Sequence, residues 1–129
     1  MTARLRRDAG QATVELVLAL PVIVLVLLLV IQVGLIARDQ VLVVDAAREG
    51  ARAAAVGGPG AAGGAARSTP GLRPERTTVQ ASTVASGRDG AQDVRVVVRY
   101  RAPTEVPIVG LLIGDPTLTA TVAMRVEEP

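Results

Sequence analysis

Gly10-Gln-Ala-Thr-Val-Glu15, then an apolar run from Leu16 to Ala37, then Asp45-Ala-Ala-Arg-Glu-Gly-Ala-Arg52: these residues decide the architecture of the chain. Gln32 is the only polar side chain between Leu16 and Ala37. At ~1.5 Å rise per residue the run makes roughly 33 Å, enough to cross a bilayer core as a helix. A cleaved secretory signal has a shorter apolar region and a small-residue cleavage site, whereas Arg38 and Asp39 follow this run as a stop. The spacing therefore predicts a membrane-spanning helix. Arg4, Arg6 and Arg7 precede it, while Arg38 and Asp39 balance on the far flank, so the N-terminus is expected inside and the remainder outside. Pro21 removes one helical hydrogen bond and is expected to bend the helix, which a membrane helix tolerates.

Glu15 stands at the cytoplasmic mouth of that span. An ionisable residue at such depth is costly and calls for a named partner. A peptidase cut between Gly10 and Gln11 would create an α-amine four residues before Glu15, within helical reach in one chain or of a neighbour's carboxylate. The alternative is an interfacial carboxylate solvated by headgroups.

Beyond Ala37 the helical period continues. Asp45, Arg48, Glu49 and Arg52 fall on one face, with Val43, Ala46, Ala47, Gly50 and Ala54 opposite. The small residues repeat every four positions, Ala46-Gly50-Ala54 and Ala47-Ala51-Ala55, so another element can approach closely. The expected partner of this packing stripe is the chain's own sheet. Gly57, Gly58, Pro59 and Gly60 end the helix. The Gly/Ala/Pro-rich composition through Pro74 reads as a flexible linker. Gly58, Gly60 and Gly63 match a phosphate-binding glycine pattern by accident, since no strand precedes them and no βαβ unit surrounds them.

The rest reads as strands. Arg76 to Ala85 is rich in Thr and Val, Asp93 to Arg101 alternates Val94, Val96, Val98 and Tyr100 against a polar face, and Thr117 to Glu127 alternates likewise. Ser86 to Gly90 supplies a hairpin connection. The predicted fold class is α+β: a long N-terminal transmembrane and amphipathic helix, then a small three-stranded antiparallel sheet packed on its outer half. The expected organisation is residues 1–10 as a cytoplasmic flank, 11–37 as the transmembrane helix, 38–56 as its extension, 57–74 as the linker and 75–129 as the β domain. Pro103 to Pro116 holds Ile108, Val109, Leu111, Leu112 and Ile113. It is expected to tuck under the sheet as core, the alternative being an exposed patch for a partner or the membrane.

Composition narrows the function. Aromatic residues are 1% of the chain, with Tyr100 the only one, and Cys and His are absent. That removes disulfides, thiolate sites, imidazole bases and histidine ligands together. The net charge of +2 belongs to the arginines before Gly10, and from Gln11 onward charges balance. No basic patch with interleaved aromatics points to nucleic acid. Ser68, Ser82 and Ser86 stand in no nucleophile context. Neither an enzyme, a cofactor, a metal site nor a small-molecule substrate is expected, which leaves assembly.

Gly10 to Glu15, the Pro-containing apolar helix, Asp45 to Arg52 and the last strand ending Met124-Arg-Val-Glu127 together resemble TadE-like minor pilins, or pseudopilins, of the tight-adherence (Flp) pilus system. The resemblance implies a pilin-like fold and a leader, residues 1–10, removed by a prepilin peptidase after Gly10. Gln11 then becomes the first residue and Glu15 the fifth, the position of the pilin glutamate that sets subunit register. It also implies partners among other pilins, pilus assembly platform proteins and the lipid bilayer, in the cytoplasmic membrane or a cell-surface pilus. The rival expectation is an uncleaved signal-anchored protein with a small extracytoplasmic binding domain.

Overall fold

The computed structural model describes residues 2–86 and 90–126, with side-chain surroundings from residue 10 onward. One helix, α1, runs from Thr2–Gly57 and is long and apolar enough to cross a membrane. It stays helical through Pro21, where the Val17 carbonyl necessarily lacks its usual amide partner. It ends where Gly58 takes φ +82° and donates its N–H to the Ala54 carbonyl at 2.9 Å.

Three strands follow, β1 Thr77–Ser86, β2 Ala91–Arg101 and β3 Thr117–Arg125, in the antiparallel order β1-β2-β3. The α+β layout of a long helix and a three-stranded sheet is thus the observed one, with strand ends within two residues of the sequence boundaries. The β1–β2 turn expected at Ser86 to Gly90 includes residues 87–89, which lie outside the described residues.

The alternation of β2 fixes which face is buried. Val94, Val96, Val98 and Tyr100 point inward and are all at most 2% exposed. Register places Val96 between Ala81 and Val122, and Val98 between Val79 and Ala120. The helix covers this face directly: α1 crosses β2 and β3, and Val43, Ala46, Ala47, Ala51 and Ala54 are fully buried in the same core. With Tyr100 the only ring, the core is a thin Val/Ala layer, and its close approach is what the small helical residues permit.

Two expectations are corrected. The Gly/Ala tract after Gly57, read as a flexible linker, contains a further helix, α2 (Ala62–Arg67), that packs on α1 and over β1. Ala62 and Ala66 are fully buried. The residues that suggested flexibility are the ones small enough to let this backbone settle on Gly50. Gly71 closes the tract at φ +92°, a conformation that favours glycine.

The second correction concerns Pro103 to Pro116. Only Val106 and Val109 are buried there, while Ile108 (57%), Leu111 (91%), Leu112 (68%) and Ile113 (50%) are exposed. The segment is a loop closed at its neck by the Ala102 N–H on the Pro116 carbonyl (2.9 Å) and the Thr104 N–H on Asp115 Oδ1 (3.0 Å). It carries one short helix, α3 (Val109–Ile113). A single helical turn buries one side, and Tyr100 and Ala102 already fill the space beneath the sheet.

Candidate processing and register site on the long helix

Gly10, Gln11 and Glu15 lie on consecutive turns of α1, exposed and remote from the folded core. A Cβ built at Gly10 meets nothing within 4 Å, so neither packing nor backbone conformation requires glycine there. Glycine inside a helix instead costs roughly 0.5–1 kcal/mol relative to alanine. Its effect is local, a weakening of the helix at the Gly10–Gln11 bond.

Gln11 Nε2 donates to Glu15 Oε1 at 3.3 Å. Side chains on a helix lean toward its N-terminus, so the Glu15 carboxylate is directed at the turn that begins with Gln11. In the intact chain the partner is the Gln11 side-chain amide. An α-amine produced at Gln11 would stand on that same turn.

The packing stripe lies far along the same helix, about 60 Å from Gly10 at ~1.5 Å per residue. Gly50 is its narrowest point: an added Cβ would lie 3.2 Å from the Ala62 carbonyl oxygen, 3.2 Å from Ala66 Cβ and 3.3 Å from Val96 Cγ1. Ala46, Ala47, Gly50, Ala51 and Ala54 are occupied by α2 and the sheet of their own chain. Pro21 is exposed between these two regions.

Gln32 has a role that sequence reading missed. It is fully buried, and neither its Nε2 nor its Oε1 has a hydrogen-bond partner among the described residues. Ile31 and Val33 on either side are 47% and 63% exposed, so one face of α1 is covered at this height. The one signal available was azimuth: Gln32 and Gly50 stand about five turns apart and therefore on the same face.

Above Gln32 a cleft of about 180 Å³ opens between Leu35, Arg38, Asp39, Arg73, Tyr100 and Glu105. Burial pushes the Asp39 carboxyl up, against the pull of Arg38 and Arg73 and with the help of Glu105. Arg73 Nη2 bonds Glu105 Oε1 at 2.6 Å, and Arg76 Nη1 bonds Asp115 Oδ2 at 2.8 Å. Among the described residues no cluster of three or more His, Cys, Asp or Glu could hold a metal ion.

Residues 10–52 match the family model described as TadE-like protein. The match begins at Gly10, ends at Arg52 and lies wholly within α1. Comparisons with curated proteins and with solved structures return no match.

Proposed function

We propose, from the TadE-like match over residues 10–52, that this chain works in a tight-adherence (Flp-type) pilus system. In this reading it is a minor pilin or pseudopilin that supports assembly or initiation of the filament. It sits in the cytoplasmic membrane as a single-pass protein with the arginine flank inside and the sheet outside. The observation that carries the reading is Gly10, the first matched residue and a helical glycine without a packing reason to be one.

A prepilin peptidase hydrolyses the Gly10–Gln11 bond: water adds across the amide, leaving a Gly10 carboxylate and a Gln11 ammonium. The product chain has lost three arginines and gained a single positive charge one turn from Glu15. Pairing of that ammonium with Glu15, in its own chain or a neighbour's, removes the cost of a lone carboxylate in an apolar setting and sets axial register between helices. Pro21 gives each helix a fixed irregularity against which neighbours can align. The partners are the peptidase, other pilins and the assembly platform, and no catalytic step falls to the chain itself.

N-terminal sequencing of the membrane-purified protein tests the first half. Gln11 is expected at the terminus, and Gly10→Leu should make the full-length form accumulate. An intact leader in the unmodified protein means an uncleaved signal anchor instead. Glu15→Ala tests the second half: insertion and processing persist while filament assembly falls, and normal piliation would sink the pairing.

A further inference from the structure

The Val106–Ile113 loop tip is the largest apolar feature outside the helix that the reading above leaves without a task. Its height is set by its stem. Gln40 Nε2 bonds the Thr119 carbonyl at 3.4 Å, so β3 begins level with Gln40. Leu35, Arg38 and Asp39 border Pro103 and Glu105. The loop also contacts α1 through α3. Val109 on the loop and Gln32 on α1 are both fully buried, and Leu28 and Leu29, a turn lower on the same side, are half-buried. Gln32 is about 7.5 Å short of Ala37, the end of the apolar run. The cover on α1 thus extends below the end of its apolar run, and this loop, whose stem borders Leu35 and whose α3 contacts α1, is the element best placed to supply it.

Several of the tip's N–H groups are bonded within the loop, which lowers the cost of placing its backbone in an apolar setting. Val109 N–H goes to the Pro107 carbonyl (2.8 Å), Gly110 to Val106 (3.4 Å), Leu111 to Ile108 (3.2 Å) and Gly114 to Gly110 (3.1 Å), while Pro107 has no N–H to satisfy. The Val109–Pro107 bond closes a γ-turn on Ile108 at φ +70°, ψ −45°, a rare and strained geometry for a β-branched residue. Strain of this kind persists where a site needs it; here it accompanies an Ile108 that is 57% exposed. Above the tip, Arg73 with Glu105 and Arg76 with Asp115 form a charged collar at the stem.

We propose that Ile108, Leu111, Leu112 and Ile113 form a membrane foot, inserted among the acyl chains of the outer leaflet beside α1. The foot makes a second contact with the bilayer, fixing the height and rotation of the sheet about the helix. The proposal rests on α1 spanning the membrane.

The chain has no Trp, so a single introduced indole reports its own surroundings. Leu111→Trp, with Val22→Trp in the span and Thr83→Trp at the far end of the sheet as references, is made in the full chain. Each variant is reconstituted in vesicles containing phosphatidylcholine brominated at shallow or deep acyl positions. For Leu111→Trp the expected result is blue-shifted emission quenched most by the shallow bromines. Val22→Trp should be quenched more by the deep ones, and Thr83→Trp by neither. Unquenched emission from Leu111→Trp beside a quenched Val22→Trp overturns the foot while leaving the span intact. If the unquenched emission is also blue-shifted, a protein contact covers the patch instead. Absence of quenching at Val22→Trp removes the span and the foot with it. Leu112→Trp repeats the measurement at a second exposed position.

Discussion

Gly50 is where three elements come closest, and the limit there is steric. Gly50→Val would push atoms into the Ala62 carbonyl, the Ala66 methyl and Val96, none of which is a flexible side chain. A loss of about 1–3 kcal/mol in denaturant unfolding is expected; an unchanged midpoint would mean that α2 does not rest on this turn. Gln32 poses the opposite case, a buried amide without hydrogen-bond partners among the described residues. Gln32→Met keeps length and volume while removing the polar atoms, so stability should hold or rise by about 1 kcal/mol. A comparable loss would identify a bond made by the amide. The four-residue spacing of Ala46, Gly50 and Ala54 marked this turn for close approach, but the partner expected was the sheet, and two of the three contacts at Gly50 come from α2, read from sequence as a linker. The cover over Gln32 was not legible, because an amide within an apolar run looks the same whether lipid or protein faces it.

Among the elements, the loop carrying α3 is held by titratable groups, and its pH response has a definite sign. The Arg76 side chain, and then the Thr104 N–H, hold the Asp115 carboxyl below its ordinary value. A carboxyl lowered on folding stabilises fully above that ordinary value, about 3.9, and loses the contribution as pH falls through the lowered one. Asp39 runs the other way. Burial raises it, so it weakens folding as pH rises from the ordinary value through the raised one. Hydrogen-exchange protection of Thr104, Gly110 and Gly114 should therefore stay high at neutral pH and decline below about pH 4. In Asp115→Asn it should be low already at neutral pH. Equal protection in both proteins would show that the Thr104 hydroxyl on the Gly114 carbonyl and the neck bond at Ala102 close the loop unaided. At this scale β2 and β3 were readable from strict alternation, whereas α2 and the loop were not. Small residues look flexible until a partner surface exists, and apolar residues look like core until the core is full.

For the molecule as a whole, α1 is a rod of about 84 Å, long and apolar enough to cross a membrane. Its outer third supplies one wall of the core. Val43, Ala46, Ala47, Ala51 and Ala54 bury against β2 and β3, so the sheet is not an independent unit. A fragment carrying residues 75–129 should lack a dispersed amide NMR spectrum, and one carrying residues 38–129 should have it; a folded sheet without α1 would contradict the shared core. Tyr100, 2% exposed beside the cleft at the inner end of that core, has a further consequence. No Phe or Trp accompanies it, so the near-ultraviolet circular dichroism of the unmodified protein arises from one immobilised phenol. The loss of that band on heating is a readout of the joint between rod and sheet, unobscured by any other aromatic side chain.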